Sequence, residues 1–324
     1  MDQMDMISEN DCCGNGCVNC VLNVGFRKTS NDILDGKYNV ISDYQKFRLL
    51  SKYPHNHMGS DKDNLDCGIG EVLELHFRVS ELPINAEDFA LLIPPGYHVM
   101  MRQQLPTGQV CLRPYSPFWV DSLAMEFKIL VNLAPDGPMS RFIKGLQVGD
   151  CVEFRGPIGA YEYSSNTKAE RNVFVITQGV AIASTIRIVN DILDNEEDFS
   201  HVFQVACYKD LDHAFNRNVL RDFNKYWNYT SSIYLAHQRC PDDMCKTAEC
   251  TGKCTWFLKK LWYKENVHLS RLSESNLSDI SKGSIDSSTE SVFIIAGSKN
   301  FQESVTKLIK KLTLESLKTN IVLL

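Results

Sequence analysis

No stretch of the sequence approaches the run of about 20 apolar residues that crosses a bilayer as a helix. Its start, Met1 to Asp11, is acidic where a secretory or mitochondrial leader is basic. Position 2 is Asp, so the glycine needed for N-myristoylation is missing. These absences make a cytoplasmic protein with no transmembrane segment the expectation. Positive charge is also short. The 34 Lys and Arg against 40 Asp and Glu leave a net charge of −6, which offers no field to a phosphate backbone, so no nucleic-acid partner is expected. There are no internal repeats, no obvious catalytic triad and no obvious pair of acid–base carboxylates.

What is present is apolar material for two cores. The 324 residues are roughly two domain lengths at about 150 residues each, and 44% hydrophobic with 23% charged residues lies in the globular range. Twelve cysteines would suggest a disulfide framework in a small secreted chain; in a large leaderless one they are expected to be reduced. Eight of them form two groups: Cys12, Cys13, Cys17 and Cys20, then Cys240, Cys245, Cys250 and Cys254.

From about 36 to 164 the chain reads as short strands separated by turns. The clearest is Val72 to Ser80, where Leu73, Leu75, Phe77 and Val79 alternate with Glu74, His76, Arg78 and Ser80. Further strands are expected at Tyr97 to Arg102, Val110 to Tyr115, Met125 to Leu133 and Cys151 to Arg155. One helix is expected near Pro138, burying Met139, Phe142, Ile143 and Leu146. After a polar linker at Ser164 to Glu170, strands alternate with amphipathic helices through 171–324, which argues a parallel sheet covered by helices. Asn300 and Glu303 suggest a capping box for the last helix, and Ser270 to Ser291 reads as a solvated loop. The expected organisation is a cysteine-rich segment at 1–35, an antiparallel β-barrel domain at 36–164, and a nucleotide-binding α/β domain at 171–324 with a Cys/Ser-rich insertion at about 238–291.

Candidate chemistry gathers near the middle. Arg113-Pro114-Tyr115-Ser116 ends a strand, and its arginine offers a forked donor to a pyrophosphate, a charged hydrogen bond of about 1.5–3 kcal/mol. Tyr115 offers a flat face for a ring. Asp136-Gly137-Pro138-Met139-Ser140 opens a helix, whose free amides and positive dipole end suit the same anion. Glu153-Phe154-Arg155-Gly156-Pro157-Ile158-Gly159 comes next.

In this order and spacing the set resembles the ferredoxin reductase-like flavoproteins, and most of all the NADH-cytochrome b5 reductases, which carry RPYT/S, GKMS and a G-P-x-G turn. The resemblance implies an FAD-binding β-barrel, a following NADH-binding α/β domain, and the flavin at their interface. By this match Arg113 and Pro114 belong to the flavin-binding strand, and Arg113 holds the pyrophosphate. Tyr115 packs on the flavin, Ser116 hydrogen-bonds its reactive edge, and these two are the expected catalytic residues. Leu130 and Asn132 border the ribityl chain, and Gly137, Met139 and Ser140 hold the pyrophosphate and adenylate side. Pro138 stands where the family has lysine.

In the second domain the family's GGTGITP turn corresponds to Gln178-Gly179-Val180-Ala181-Ile182-Ala183-Ser184, and its C-G-P run to Ala296-Gly297-Ser298. The resemblance assigns Gly179, Ala183 and Gly297 to NADH, and Asp212 to the acidic position that repels the 2′-phosphate of NADPH. It implies hydride transfer from NADH to FAD and single electrons passed to a haem protein such as cytochrome b5. The rival is a flavin-binding or scaffold protein that has lost NADH, motivated by the altered turn.

Asp11-Cys12-Cys13-Gly14-Asn15-Gly16-Cys17-Val18-Asn19-Cys20-Val21 resembles the short oxidoreductase-like N-terminal module of NADH-cytochrome b5 reductase-like proteins. Four thiols in nine residues suit one zinc or part of an iron–sulfur centre, and equally reduced structural or redox thiols. The later group suits a tetrahedral zinc or adjacent loop thiols. No metal ligand is assigned in either.

Overall fold

A computed structural model describes residues 20, 22, 36–54, 72–81, 86–105, 108–159, 161, 171–240, 250–281, 290–312 and 319–324. The chain divides into two compact units, Met1–Glu162 and Tyr163–Leu324. The Ser164 to Glu170 linker and Cys12, Cys13, Cys17 and Cys245 lie outside the described residues.

In the first unit the short strands β1 (Tyr38–Asn39) and β4 (Phe89–Ala90) pair in parallel. The other seven, β2 (Gln45–Pro54), β3 (Val72–Val79), β5 (His98–Gln104), β6 (Val110–Tyr115), β7 (Pro117–Asp121), β8 (Glu126–Asn132) and β9 (Cys151–Ile158), form one antiparallel sheet. Their order is β6-β5-β9-β2-β3-β8-β7. The sheet curls in the manner of a barrel, with β6 coming against β8 and joined to β7 through Ser116 alone. Alternation explains the wrapping. Leu73, Leu75, Phe77 and Val79 all enter one core, while Glu74, His76 and Arg78 face outward. Inside, Phe47, Phe77, Phe127 and Phe154 from four strands meet with ring centroids 4.9–5.7 Å apart, mostly edge to face.

Helix α1 (Pro138–Gly145) adds Met139 and Ile143 to this core. Its C-terminal carbonyls are closed from a distance. The Lys52 ammonium on β2 donates to the carbonyls of Ile143 at 2.9 Å, Lys144 at 2.7 Å and Leu146 at 3.1 Å, placing a cation at the negative end of the helix.

The second unit is a six-stranded parallel sheet in the order β13-β12-β11-β10-β14-β15. Its strands are β10 (Arg171–Gln178), β11 (His201–Tyr208), β12 (Tyr229–Leu235), β13 (Val267–His268), β14 (Glu290–Ala296) and β15 (Thr319–Leu323). The helices are α2 (Ala183–Leu193), α3 (Arg217–Phe223), α4 (Thr255–Lys260), α5 (Glu274–Ser281) and α6 (Lys299–Leu312). On one face Phe174 stacks between Phe203 and Phe293, 4.9 and 4.7 Å away, because the register places all three in line across β11, β10 and β14. Leu277 of α5 and Val305 and Ile309 of α6 cover that face. Val173 and Val175, on the other face, are equally buried, so β10 is the near-continuous apolar run of a strand covered on both sides.

Two sequence expectations are corrected. The expected solvated loop at Ser270 to Ser291 contains α5. Its first turn is held by Ser273, whose Oγ accepts the Asn276 amide at 3.3 Å and whose carbonyl accepts the Leu277 amide at 3.1 Å. Burial of Leu277 drives it, and the flanking serines hid the pattern. The last helix is capped by Ser298, not Asn300. The Ser298 Oγ accepts the Phe301 amide at 3.4 Å, while Asn300 lies within α6 and its carbonyl accepts the Ser304 hydroxyl.

Candidate functional site: a flavin cradle and an altered nucleotide turn

In the first unit the structure brings two of the singled-out segments together. Helix α1 packs against β6, so the Arg113 to Ser116 segment and the Gly137 to Ser140 segment belong to elements in contact. The N-terminus of α1 carries no side-chain cap: Gly137 occupies the capping position without a hydrogen-bonding side chain, and Pro138 has no N–H to satisfy. The loop leading to it is fixed by Ser140, whose Oγ accepts the Ala134 amide at 2.9 Å. A Cβ on Gly137 would lie 3.1 Å from that Oγ and 3.4 Å from the Ala134 side chain, so a glycine keeps the approach open. Met139 is buried in the core and so supports the turn from behind.

Arg113 is half-buried, opposite Met101 on β5, and its guanidinium donates to the Leu112 carbonyl at 2.6 Å. Pro114 and Ser116 are half-buried beside it. Tyr115 packs against the barrel core. Burial pushes its phenol well above the ordinary range, against the opposing pull of the Arg113 cation, so it remains neutral. On β8, Leu130 is buried and Asn132 is exposed at the strand end.

One residue not singled out from the sequence joins this group. His98 opens β5, and extending the Val99–Tyr115 register by one step places it opposite Ser116. It is buried, and burial holds its pKa down at about 4, so the ring is neutral. Among the described residues its Nε2 has no hydrogen-bond partner. A buried polar atom left in this way is open to a hydrogen bond with a water or a ligand. The Gly156-Pro157-Ile158-Gly159 segment, expected as a turn, instead continues β9 through Ile158, which pairs with His98, and presses against β5 and the residue before it. A Cβ on Gly156 would lie 3.3 Å from the His98 carbonyl, and one on Gly159 would lie 2.9 Å from the Tyr97 ring.

These features suit a large anionic cofactor with a flat ring: an open helix start and an arginine for the pyrophosphate, an aromatic face, a hydroxyl and an unsatisfied imidazole for the polar edge. Residues 70–163 match the family described as Oxidoreductase FAD-binding domain. The chain carries an FAD-binding domain. The residues just described fit FAD: an uncapped helix start and a half-buried arginine are chemically suited to a pyrophosphate.

Beyond this domain, the chain is 24% identical over 243 residues to a Homo sapiens protein named NADH-cytochrome b5 reductase-like, covering 72% of this chain and 73% of that one. A Mus musculus protein of the same name is 22% identical over 281 residues, covering 84% and 80%. Among solved structures, the CS-b5R domains of human Ncb5or in an NAD+ form superpose with a TM-score of 0.63 at 18% identity, covering 86% of this chain and 69% of that one. The FAD-binding domain and its α/β neighbour therefore have the ferredoxin reductase-like fold, and the chain is an oxidoreductase related to NADH-cytochrome b5 reductases.

The second unit departs from an open nucleotide turn. In a sheet of this order the ligand crevice lies beyond the carboxyl ends of the strands where the winding reverses, here between β10 and β14. Gly179 follows β10 with φ +59°, a conformation that favours glycine, and opens a 3-10 turn, Gly179–Ile182. Ala183 is buried at the start of α2. Gln178 reaches across the crevice: its Oε1 accepts the Ser298 hydroxyl at 2.8 Å and the Ser298 amide at 3.3 Å. Gly297 lies under this bridge, where a Cβ would meet Phe301 at 2.7 Å and the Gln178 Cβ at 2.9 Å. Packing alone therefore requires that glycine. Asp212, in a 3-10 turn after β11, pairs with the Lys260 ammonium at 2.8 Å. The structure thus brings Gly179 and Gly297 together across adjacent strands and places Asp212 beyond β11, on the other side of β10.

Proposed function

We propose that the protein is a cytosolic FAD-dependent oxidoreductase that takes hydride from NADH and passes electrons to a haem protein such as cytochrome b5. The observation that carries this reading is the packing of α1, whose start is uncapped, against β6, the strand that bears Arg113 and Tyr115 and runs on into Ser116. Bound FAD would supply the two-electron acceptance and one-electron release. The chain's own residues bind and orient. Arg113 and the amides of Met139 and Ser140 would take the pyrophosphate, the Tyr115 ring would cover a flat face and keep water from it, and the Ser116 hydroxyl would donate to a ring acceptor. His98, neutral by burial, would complete its unmet hydrogen bond at that edge.

The test is an anaerobic titration of the purified protein with NADH and then NADPH, followed by its visible spectrum. Bleaching by NADH in preference to NADPH supports the reading. A flavin that stays oxidised removes it and leaves the second one: a flavin-binding protein without NADH turnover. The Gln178–Ser298 bridge across the crevice favours that alternative.

A further inference from the structure

The later cysteine group converges in space. The chain leaves β12 and runs on beside β11 through the Ala236 amide to the Tyr208 carbonyl at 3.0 Å and the His237 amide to the Lys209 carbonyl at 2.8 Å. The buried Gln238 then ties down both ends of the loop that carries the cysteines. Its side-chain oxygen accepts the Leu211 amide at 2.8 Å, and its carbonyl accepts the Cys250 amide at 2.9 Å. That last bond sets Cys250 beside Cys240, two residues past Gln238.

The Cys240 and Cys254 sulfurs are 3.3 Å apart, those of Cys250 and Cys254 are 3.6 Å apart, and all three lie within 4.8 Å of one another. Zn–S bonds of about 2.3 Å in a tetrahedron put sulfurs roughly 3.8 Å apart, so a single ion reaches all three with little movement. Backbone amides are aimed at two of the sulfurs. The Gly252 amide donates to Cys250 Sγ at 3.3 Å, and the Phe257 amide to Cys254 Sγ at 3.4 Å. The first needs the left-handed backbone of Gly252, φ +78°, within Cys250-Thr251-Gly252-Lys253-Cys254. Amide donors to sulfur favour the thiolate and orient it, which is the outer-shell support that metal-bound thiolates receive.

We propose that Cys240, Cys250 and Cys254 bind a zinc ion that fastens the insertion after β12. Zinc accommodates three thiolates and leaves one corner of the tetrahedron to a water or a further ligand, whereas iron–sulfur clusters of the common types take four. A two-cysteine redox pair would not account for the convergence of the third sulfur on the other two. Cys245 belongs to the same sequence group but lies outside the described residues, and the site rests on the three described thiols. Binding converts thiols to thiolates and releases their protons to solvent.

The test uses the full-length protein purified from zinc-supplemented cells without chelator, beside C250S, C254S and C151S, the last altering an exposed cysteine on β9. Elemental analysis is expected to find one zinc equivalent fewer in C250S and in C254S than in wild type, with C151S unchanged. Because only the difference is read, metal held elsewhere in the chain does not interfere. Cobalt(II) added to metal-free wild type should give thiolate charge-transfer and tetrahedral visible bands, a measurement independent of whether the variants fold. Equal zinc in wild type, C250S and C254S overturns the proposal. So does a reduced wild type that holds no zinc and shows no such cobalt bands.

Discussion

The Gln178 carboxamide oxygen accepts the Ser298 hydroxyl at 2.8 Å, joining the carboxyl ends of two adjacent strands where a dinucleotide would enter a sheet of this order. A ligand approaching there must break or displace this contact. A typical net hydrogen bond is worth about 0.5–1.5 kcal/mol, so the bridge taxes nucleotide entry without forbidding it.

Replacing Gln178 with glycine is therefore expected to lower the NADH concentration giving half-maximal flavin bleaching by about twofold to tenfold, since about 1.4 kcal/mol is a factor of ten. Stopped-flow reduction under anaerobic conditions measures it. An unchanged or higher half-saturation would mean that the bridge does not obstruct the nucleotide.

Arg113 bears on the flavin itself. Loss of a charged hydrogen bond of about 1.5–3 kcal/mol predicts FAD binding about 10- to 100-fold weaker in Arg113→Ala. Arg102→Ala is the control, because Arg102 on the neighbouring strand is engaged by Glu153 at 2.9 Å. Flavin fluorescence quenching on titration distinguishes them; equal losses in both variants would deny Arg113 a specific role.

His98 predicts a pH effect on stability. Its folded pKa, about 4, lies below the ordinary 6.5, so between these values the unfolded chain binds the proton and the folded chain does not. Stability from this residue is full above about pH 6.5 and is lost as pH falls towards 4, by at most about 3 kcal/mol. Urea unfolding at pH 7 and pH 5 should show a smaller acid loss in His98→Asn than in wild type. An identical loss in both would assign the effect to other groups.

The stacked phenylalanines give a prediction about the second unit. Phe174 fills the centre of its sheet between two rings, so Phe174→Ala should cost about 3–5 kcal/mol, with Phe174→Leu costing clearly less. Chemical denaturation read by circular dichroism checks it, and a cost below about 1 kcal/mol would show that the neighbours collapse into the gap.

These relationships differ in how far the sequence discloses them. The alternation at Leu73, Leu75, Phe77 and Val79 is local and one-sided, so it names both the strand and its buried face. The Arg113 and Gly137 segments carry short-range signals of their own, a strand end and a helix start, although their packing together is a matter of fold. His98 has no such signal: a single histidine after Pro94-Pro95-Gly96 reads as any strand residue until its burial and unmet Nε2 are seen. Helix α5 is obscured by serines, because one buried leucine is too little for a helical period. Gln178 and Ser298 are 120 positions apart; the family resemblance puts both segments at one nucleotide site, but no local signal discloses the bond between their side chains.

That same separation governs how the second unit is assembled. Strand β10 is central in its sheet but first in sequence, and its β14 flank is supplied only after α2, β11, α3, β12 and the whole insertion have been made. During synthesis, Phe174 and Ile176 must wait beside an unpaired strand edge while more than a third of the chain emerges. Such long-range parallel pairing is slow and exposes an adhesive surface. A fastening that compacts the insertion early would shorten the loop that β14 has to close. Zinc supply would then show itself first in the yield of folded protein, ahead of any property of the finished molecule.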